Sequence, residues 1–273
     1  MRRVPAPAKI NLALVVGPLR PDGKHEVATV LQRVDLGDRV QLEPSAGALV
    51  VEGFAGDTLV RRALELLAEE AGVEPRWRAT ITKRIPVASG LGGGSSDAAA
   101  ALRLANETLA EPVGDDRLHA IAARLGADVP FFLRPGPQLA EGDGTELRQL
   151  ELPQDFFVLL VLPYDASKPS TAAVYADYDG RGGERGFAER RAALRETLAQ
   201  VRRPRDLAAL PRNDLASSPL AAELEGQGAF RADVSGAGPV VYGLFHHRAR
   251  AQAARHRLRA VGRVWITVPA WYG

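Results

Sequence analysis

The sequence predicts an α+β protein in two halves that meet near residue 150. Three observations lead there. Short β-branched runs alternate with helical stretches rather than clustering by type. A continuous apolar run at 156–163 (F-F-V-L-L-V-L-P) restarts the pattern after a hairpin-like segment. Between them, at 86–104, glycines and serines run directly into an alanine-rich stretch of high helix propensity. The expected division is 1–151 and 152–273.

Taken in order, residues 4–16 (V-P-A-P-A-K-I-N-L-A-L-V-V) read as an extended segment in which Lys9 and Asn11 share a face by the two-residue period. On local grounds Lys9 could equally be a charge that protects a sheet edge. R-P-D-G-K-H (20–25) is a turn, followed by a strand from Val27 to Val34 and two short strands at 39–43 and 48–52. Asp57 or Thr58 caps a helix whose apolar face runs from Leu59 to Leu67, and Gly72 ends it. Trp77, Ala79 and Ile81 alternate with Arg78, Thr80 and Thr82, the mark of a strand with one buried face. Helices are expected at about 96–110 and 115–125. The second stops at Gly126 and leads into L-G-A-D-V-P-F-F-L (125–133), a strand-like run in which the Asp128 carboxylate needs a cation or hydrogen bonds to stay ionised, or else caps a turn. Residues 136–147 form a hairpin. In the second half a short helix follows S-K-P-S-T-A-A-V-Y (167–175), and G-R-G-G-E-R-G (180–186) is the expected mobile loop. Helices lie at 187–201 and 213–225, the latter capped by Asn213-Asp214. D-V-S-G-A-G-P-V-V-Y-G-L-F (233–245) is strand, glycine turn and strand, and a basic helix and a strand at 264–269 close the chain.

Composition sets outer limits. Hydrophobic residues make up 46% and charged residues 25% of the 273 positions, ordinary globular values. No apolar run has the length of a membrane span, and Met1-Arg2-Arg3 followed by prolines and Lys9 does not read as a secretory leader. Cysteine is absent, which excludes disulfides and thiolate metal sites. A net charge of +2 gives no case for nucleic acid, and the basic run at 248–259 reads as the solvated face of a helix. The expectation is a cytoplasmic enzyme acting on a small molecule, without membrane or nucleic-acid partners, as a monomer or weak dimer. Lysine is confined to Lys9, Lys24, Lys83 and Lys168, positions where a compact ammonium is retained against an arginine-rich background.

The stretch P-V-A-S-G-L-G-G-G-S-S-D (86–97) is the strongest chemical signal. Glycines let a backbone approach a ligand closely, and the first amides of the following helix carry unpaired N–H groups and the positive end of its dipole. Such a loop seats phosphate. It is not a Walker loop, since no lysine follows the glycines, and a dinucleotide fingerprint read from Gly90 fails where Ser95 stands. It does match P-x-x-x-G-L-G-x-x-S-S, the phosphate loop of the GHMP kinases. With P-A-K-I-N (7–11) before it and D-V-S-G-A-G-P-V-V (233–241) after it, the chain resembles that superfamily in all three of its motifs, in order. D-G-K-H (22–25) and L-G-A-D-V-P-F-F (125–132) are similar to the branch that acts on methylerythritol carried on cytidine diphosphate, in the non-mevalonate route to isoprenoids.

That resemblance implies an N-terminal α/β domain with a left-handed βαβ unit, a ferredoxin-like C-terminal domain and a site between them. It implies transfer of phosphate from ATP, with Mg²⁺, to the 2-hydroxyl of the methylerythritol group. Asp128 would be the general base and Lys9 its electrostatic partner. Pro86, Ser89, Gly90, Leu91, Gly92, Gly93, Gly94, Ser95 and Ser96 would hold the nucleotide. Asn11 would lie near the acceptor hydroxyls, His25 on the cytosine, Tyr175 stacked on the pyrimidine and Thr171 close by. No residue is named as a metal ligand, and Asp97 is expected to point away from the phosphates or to reach the metal through water. Two positions depart from the pattern: Lys24 stands where the branch commonly has tyrosine, and Thr58 where it often has asparagine. The turn at 236–239 also varies from the usual S-G-S-G-A. The rival expectations are a GHMP kinase for another small alcohol such as homoserine or mevalonate, and an inactive or RNA-binding module on the same fold.

Overall fold

The N-terminal half is organised by one long antiparallel hairpin, β1 (Arg2–Leu19) with β2 (His25–Pro44), closed by the turn at 20–24. The computed structural model of the chain describes residues 2–166 and 170–270. Lys168, with the flanking Ser167 and Pro169 of the 167–175 stretch, lies outside the described residues. The register sets Lys9 opposite Arg33 and Asn11 opposite Leu31. The segments 27–34 and 39–43, expected as separate strands, are parts of β2. Pro7 pairs with Gly37 and Ala8 with Val34, so Asp35 and Leu36 are accommodated as a bulge rather than a break. The Asp35 amide donates to the Val268 carbonyl at 2.8 Å, which satisfies it there.

The short strand β3 (Val50–Glu52), helix α1 (Leu59–Ala71) and β4 (Trp77–Thr82) form a crossover unit with β3 and β4 parallel. Thr58 occupies the cap position of α1, but the capping oxygens belong to Asp57, which accepts from the Val60 and Arg61 amides at 3.1 Å each. Helix α2 (Gly93–Asn106) starts three residues earlier than the sequence suggests and ends four earlier. Gly92, at φ +71°, makes the entry turn, and the Ser96 amide already donates to the Gly92 carbonyl at 2.9 Å. At the other end the Asn106 side chain pairs with both backbone groups of Val113, which turns the chain away.

Helix α3 (Asp115–Leu125) follows as expected. The apolar run after it is not a strand: residues 127–129 turn and Pro130–Leu133 form a 3-10 helix. Proline opens that helix because its missing N–H is not needed there. Arg33 and Gln138 donate to the Phe131 carbonyl, at 2.9 and 3.1 Å, and both also donate to that of Arg134. Strands β5 (Gln138–Gly142) and β6 (Glu146–Gln149) complete a sheet ordered β3-β4-β2-β5-β6, with β1 paired to β2. Helices α1 and α2 pack on it around Leu64, Leu67, Ile81, Leu102 and Phe131.

The second half runs β7 (Phe157–Pro163), α4 (Thr171–Gly180), α5 (Phe187–Gln200), a 3-10 turn at Pro204–Ala209, α6 (Pro219–Gly226), β8 (Arg231–Val234), β9 (Val241–Phe245), α7 (Arg248–Leu258) and β10 (Gly262–Thr267). Its antiparallel sheet is ordered β10-β7-β9-β8, the strand order of a ferredoxin-like layer. The helix expected from 213 begins at Pro219, capped by Ser218. Asn213 instead bridges Val234 and Gly236 by donating to their carbonyls at 2.9 and 2.7 Å. Asp214 accepts from the Val16 amide and pairs with Arg190. The basic helix α7 buries Ala251, Ala254 and Leu258 and exposes most of its charged face, as its sequence indicates.

A shared core holds the halves together: Ile10, Leu12, Val30 and Leu139 from the first sheet meet Val158, Leu160, Tyr242 and Leu244 from the second. At its centre the fully buried Tyr242 hydroxyl donates to the Asn11 carbonyl at 3.0 Å. Removing that hydroxyl leaves a buried carbonyl without its partner. Tyr242→Phe is therefore expected to lower stability by about 1–3 kcal/mol, measured by urea unfolding; an unchanged midpoint would contradict the role given to this bond.

Candidate active site

Glycines from four segments, Gly23, Gly90 with Gly92 to Gly94, Gly144 and Gly236, line a cavity of about 830 Å³. The closest approach is between Gly90 and the turn after β8. At φ +84°, Gly90 has backbone where a Cβ would stand 2.2 Å from the Ser235 carbonyl oxygen. The Ser235 hydroxyl donates to the Gly90 carbonyl at 3.0 Å, and the Val240 amide donates to that of Ser89 at 3.2 Å. Gly92, at φ +71°, is constrained less tightly: a Cβ there would meet the Lys9 side chain at 3.0 Å and the Phe132 ring at 3.2 Å. Ala88 lies at φ +54°, a conformation that disfavours side-chain-bearing residues.

Because α2 begins at Gly93, the amides of Gly93, Gly94 and Ser95 are first-turn groups with no partner inside the helix. Pro86, Ser89, Gly90, Gly92, Gly93, Gly94 and Ser95 line the cavity. Leu91 and Ser96 are turned into the protein. The Leu91 carbonyl accepts from the Lys9 amide at 2.9 Å, and the Ser96 hydroxyl is buried with no hydrogen-bond partner among the described residues.

Lys9 reaches the same cavity from β1. Its ammonium donates to the Asn11 amide oxygen at 2.7 Å and lies 3.4 Å from the Asp128 carboxylate. Asn11 is held in turn, donating to the Thr29 hydroxyl at 2.8 Å, which donates to the Ala13 carbonyl at 2.7 Å. Lys9 and Asn11 are each 4% exposed, whereas Asp128 is partly open to the cavity. A buried cation thus rests on a neutral acceptor and faces one accessible carboxylate.

The opposite wall comes from both halves: Thr171 and Tyr175 line it from α4, and His25 from the start of β2. The imidazole and phenol rings lie 4.7 Å apart at 30°. Burial, then the Asp128 charge, pushes the Tyr175 phenol up to about 12. Lys24 donates to Asp143 at 2.6 Å on the rim. Burial works to raise Asp143, but the bonds from Lys24 and Thr145 outweigh it and hold the carboxyl down at about 2.

Asp97 points away from the cavity, as one of the two expectations had it. It is 2% exposed and accepts from Lys83 at 2.7 Å; the same ammonium pairs closely with the fully buried Asp38 carboxylate. Asp38 also accepts from the Ile85 amide at 2.8 Å. Burial first, and Asp38 second, push Asp97 up to about 7, against the pull of Lys83. Burial works to lower Lys83, yet Asp97 and Asp38 hold it above its ordinary value. Lys83 also lines the cavity beside Gly93. Thr29, Lys83 with Asp38, and Asp179 are site residues that sequence reasoning did not assign. Retention of lysine at 83 was a signal for one of them; Asp179, four residues beyond Tyr175 on α4, was legible from helical spacing.

The GHMP kinases N terminal domain family matches residues 58–136, and the GHMP kinases C terminal family matches residues 205–264. A relative from Anaeromyxobacter sp. (strain Fw109-5), a 4-diphosphocytidyl-2-C-methyl-D-erythritol kinase, is 42% identical over 263 residues, covering 92% of this chain and 84% of the relative. The chain belongs to the 4-diphosphocytidyl-2-C-methyl-D-erythritol kinase family. A solved 4-(cytidine 5'-diphospho)-2C-methyl-D-erythritol kinase superposes with a TM-score of 0.79 at 32% identity, over 98% of this chain and 99% of that one. A mevalonate kinase structure superposes nearly as well, at a TM-score of 0.77 over 98% and 99%, but at 14% identity that likeness shows the shared fold alone. As a member of this kinase family, the chain has the two-domain GHMP fold that its motifs anticipated.

The buried carboxylate cluster makes stability depend on pH. Asp97 has an ordinary value of 3.8 and a folded value of about 7, so between these the folded chain binds more protons than the unfolded one and stability falls as pH rises. The contribution is complete below the ordinary value and lost through pH 7. Asp97→Asn is expected to flatten this slope when unfolding is followed by urea at pH 5 and pH 8; a slope equal to that of the parent protein would contradict the assignment.

Proposed function

We propose that this kinase transfers the γ-phosphate of ATP to the 2-hydroxyl of 4-diphosphocytidyl-2-C-methyl-D-erythritol, with Asp128 as general base and Lys9 as its electrostatic partner. The observation that carries the proposal is the 3.4 Å Lys9–Asp128 pair, set between a helix-opening glycine loop and the His25–Tyr175 wall of one cavity. Phosphoryl transfer asks a protein mainly for positioning and charge stabilisation, and these groups supply both. The amides of Gly93, Gly94 and Ser95 and the dipole of α2 take the phosphates. The acceptor hydroxyl loses its proton to Asp128 as its oxygen bonds to the γ-phosphorus, the bridging P–O bond breaks, and ADP leaves. Lys9 stabilises negative charge on the attacking oxygen, and Asn11 fixes the ammonium for that task.

Mg²⁺ enters with ATP as part of the substrate, held chiefly by phosphate oxygens, as is usual for this ion. Ser89 and Ser95 are the hydroxyl-bearing loop residues that line the cavity, and no cluster of three metal-ligating side chains is found among the described residues. On the acceptor side His25 reads the cytosine, Tyr175 stacks on its ring, and Thr171 and Asn11 contact the remainder. The division at 151/152 belongs to the same proposal: the first sheet ends at Gln149 and the second begins at Phe157. We place this activity in the cytoplasm, on small molecules, in a monomer or weak dimer without nucleic-acid partners. No helix among the described residues is long and apolar enough to cross a membrane.

Asp128→Asn and Lys9→Ala are each expected to lower kcat by about 10²–10⁴-fold with ATP affinity nearly unchanged, read by ADP release and by nucleotide titration. Turnover like that of the parent protein in either variant would refute the mechanism. In the same assay the cytidyl acceptor should be used in strong preference to homoserine or mevalonate, and the opposite preference would refute the acceptor.

A further inference from the structure

We propose that Asp179 is a positioning residue that fixes the tautomer of His25, so that the acceptor's base meets a hydrogen-bond acceptor rather than a donor. The proposal rests on the reading above that His25 faces the cytosine, and it adds what makes that histidine selective.

Thr171, Tyr175 and Asp179 recur every four residues along α4 and all line the cavity. The helix that presents them is pinned. Tyr178, 1% exposed on its inner side, donates its hydroxyl to the Val16 carbonyl and accepts from Arg190 at 3.2 Å. Asp179 is thereby held with Oδ1 at 2.8 Å from Nε2 of His25, across the cavity from one half of the chain to the other.

The chemistry of that contact is directional. An ionised carboxylate only accepts hydrogen bonds, so His25 Nε2 must bear the hydrogen. In a neutral imidazole Nδ1 is then bare and can only accept. The ring has little freedom to turn over. Tyr175 lies against it at 4.7 Å, and Tyr178 meets it edge-on at 6.2 Å and 83°. His25 is 9% exposed, and Nδ1 has no hydrogen bond among the described residues. A base entering this wall therefore meets a fixed lone pair. Cytosine offers the matching N4 amino donor, while uracil presents its O4 acceptor, and two acceptors repel. Without the carboxylate, imidazole adopts either tautomer, and its Nδ1–H form suits O4 instead. Asp179 never touches the base, yet it decides which base His25 accepts.

The test uses the full-length protein, with the cytidyl acceptor and its uridyl analogue as paired substrates. Long-range ¹⁵N–¹H spectra of the imidazole should show the Nε2–H form in the parent protein and a tautomer mixture in Asp179→Ala. The same variant should raise the acceptor KM by about two- to fivefold, because only a share of its imidazole then holds the competent tautomer, and lower the cytidyl-over-uridyl preference by at least as much. Its ATP KM and its kcat at saturating cytidyl acceptor should stay within about twofold. Asp179→Asn presents an amide that either accepts from Nε2–H or donates to a bare Nε2, so it should also leave a tautomer mixture and lower the base preference, which the loss of a merely structural aspartate to a side chain of the same shape would not do. An Nδ1–H form in the parent protein, or unchanged acceptor KM and base preference in Asp179→Ala, would overturn the proposal. His25→Ala separates the two levels. If it leaves the acceptor KM unchanged, base recognition by His25 fails and the role of Asp179 with it. If it raises KM while Asp179→Ala does not, the role of Asp179 alone fails.

Discussion

The close approach of Gly90 to the Ser235–Gly236 turn is the constraint on which the rest of the site depends. A methyl group at residue 90 would overlap a backbone oxygen, which cannot swing aside as a side chain can. With glycine there, the loop before α2 lies directly against a turn of the second sheet, and the amides at the start of α2 open on a cavity walled by both halves. Lys9 and Asn11 sit beneath the same contact, close to Gly236. The glycine loop, the turn after β8 and the Lys9–Asn11 pair are therefore brought together by one backbone-to-backbone fit.

Charge is distributed over this frame in two layers. Facing the cavity, the buried Lys9 ammonium opposes the partly open Asp128 carboxylate at 3.4 Å. Behind the loop, Lys83 is shared by Asp38 and Asp97, two carboxylates for one cation. Burial and the Asp38 charge push Asp97 up to about 7, so below that pH the layer behind the loop carries little net charge. The carboxylate in the first turns of α2 is thus compatible with an anion at the helix start, because a cation and a neighbouring carboxylate set its ionisation.

Much of this was legible in the sequence, and the remainder was hidden for identifiable reasons. Glycine spacing at 90–94 and the motifs at 7–11 and 233–241 carry the resemblance to the superfamily, and residues of all three line one cavity. The two-residue period correctly put Lys9 and Asn11 on one face. Strand continuity through Asp35 and Leu36 was not legible, since the bulge is satisfied by Val268 from the far end of the chain. The run at 129–133 looked like a strand because apolar content alone does not distinguish a buried strand from a buried 3-10 turn; Arg33 and Gln138, distant in sequence, take its carbonyls. Likewise, Asn213 and Asp214 have the chemistry of helix caps but are recruited to other backbone groups, and Ser218 does the capping. Tertiary partners overrode local preference in each case.

The central claim is that Asp128 and Lys9 meet the acceptor's 2-hydroxyl while the glycine loop holds the triphosphate. A structure with a non-hydrolysable ATP analogue and the cytidyl acceptor bound together tests it most directly. The account predicts the 2-hydroxyl oxygen at about 2.6–3.2 Å from an Asp128 carboxylate oxygen, with the γ-phosphate on its far side and the β-phosphate over the amides at the start of α2. A 2-hydroxyl out of hydrogen-bond reach of Asp128, with both substrates ordered, would contradict it.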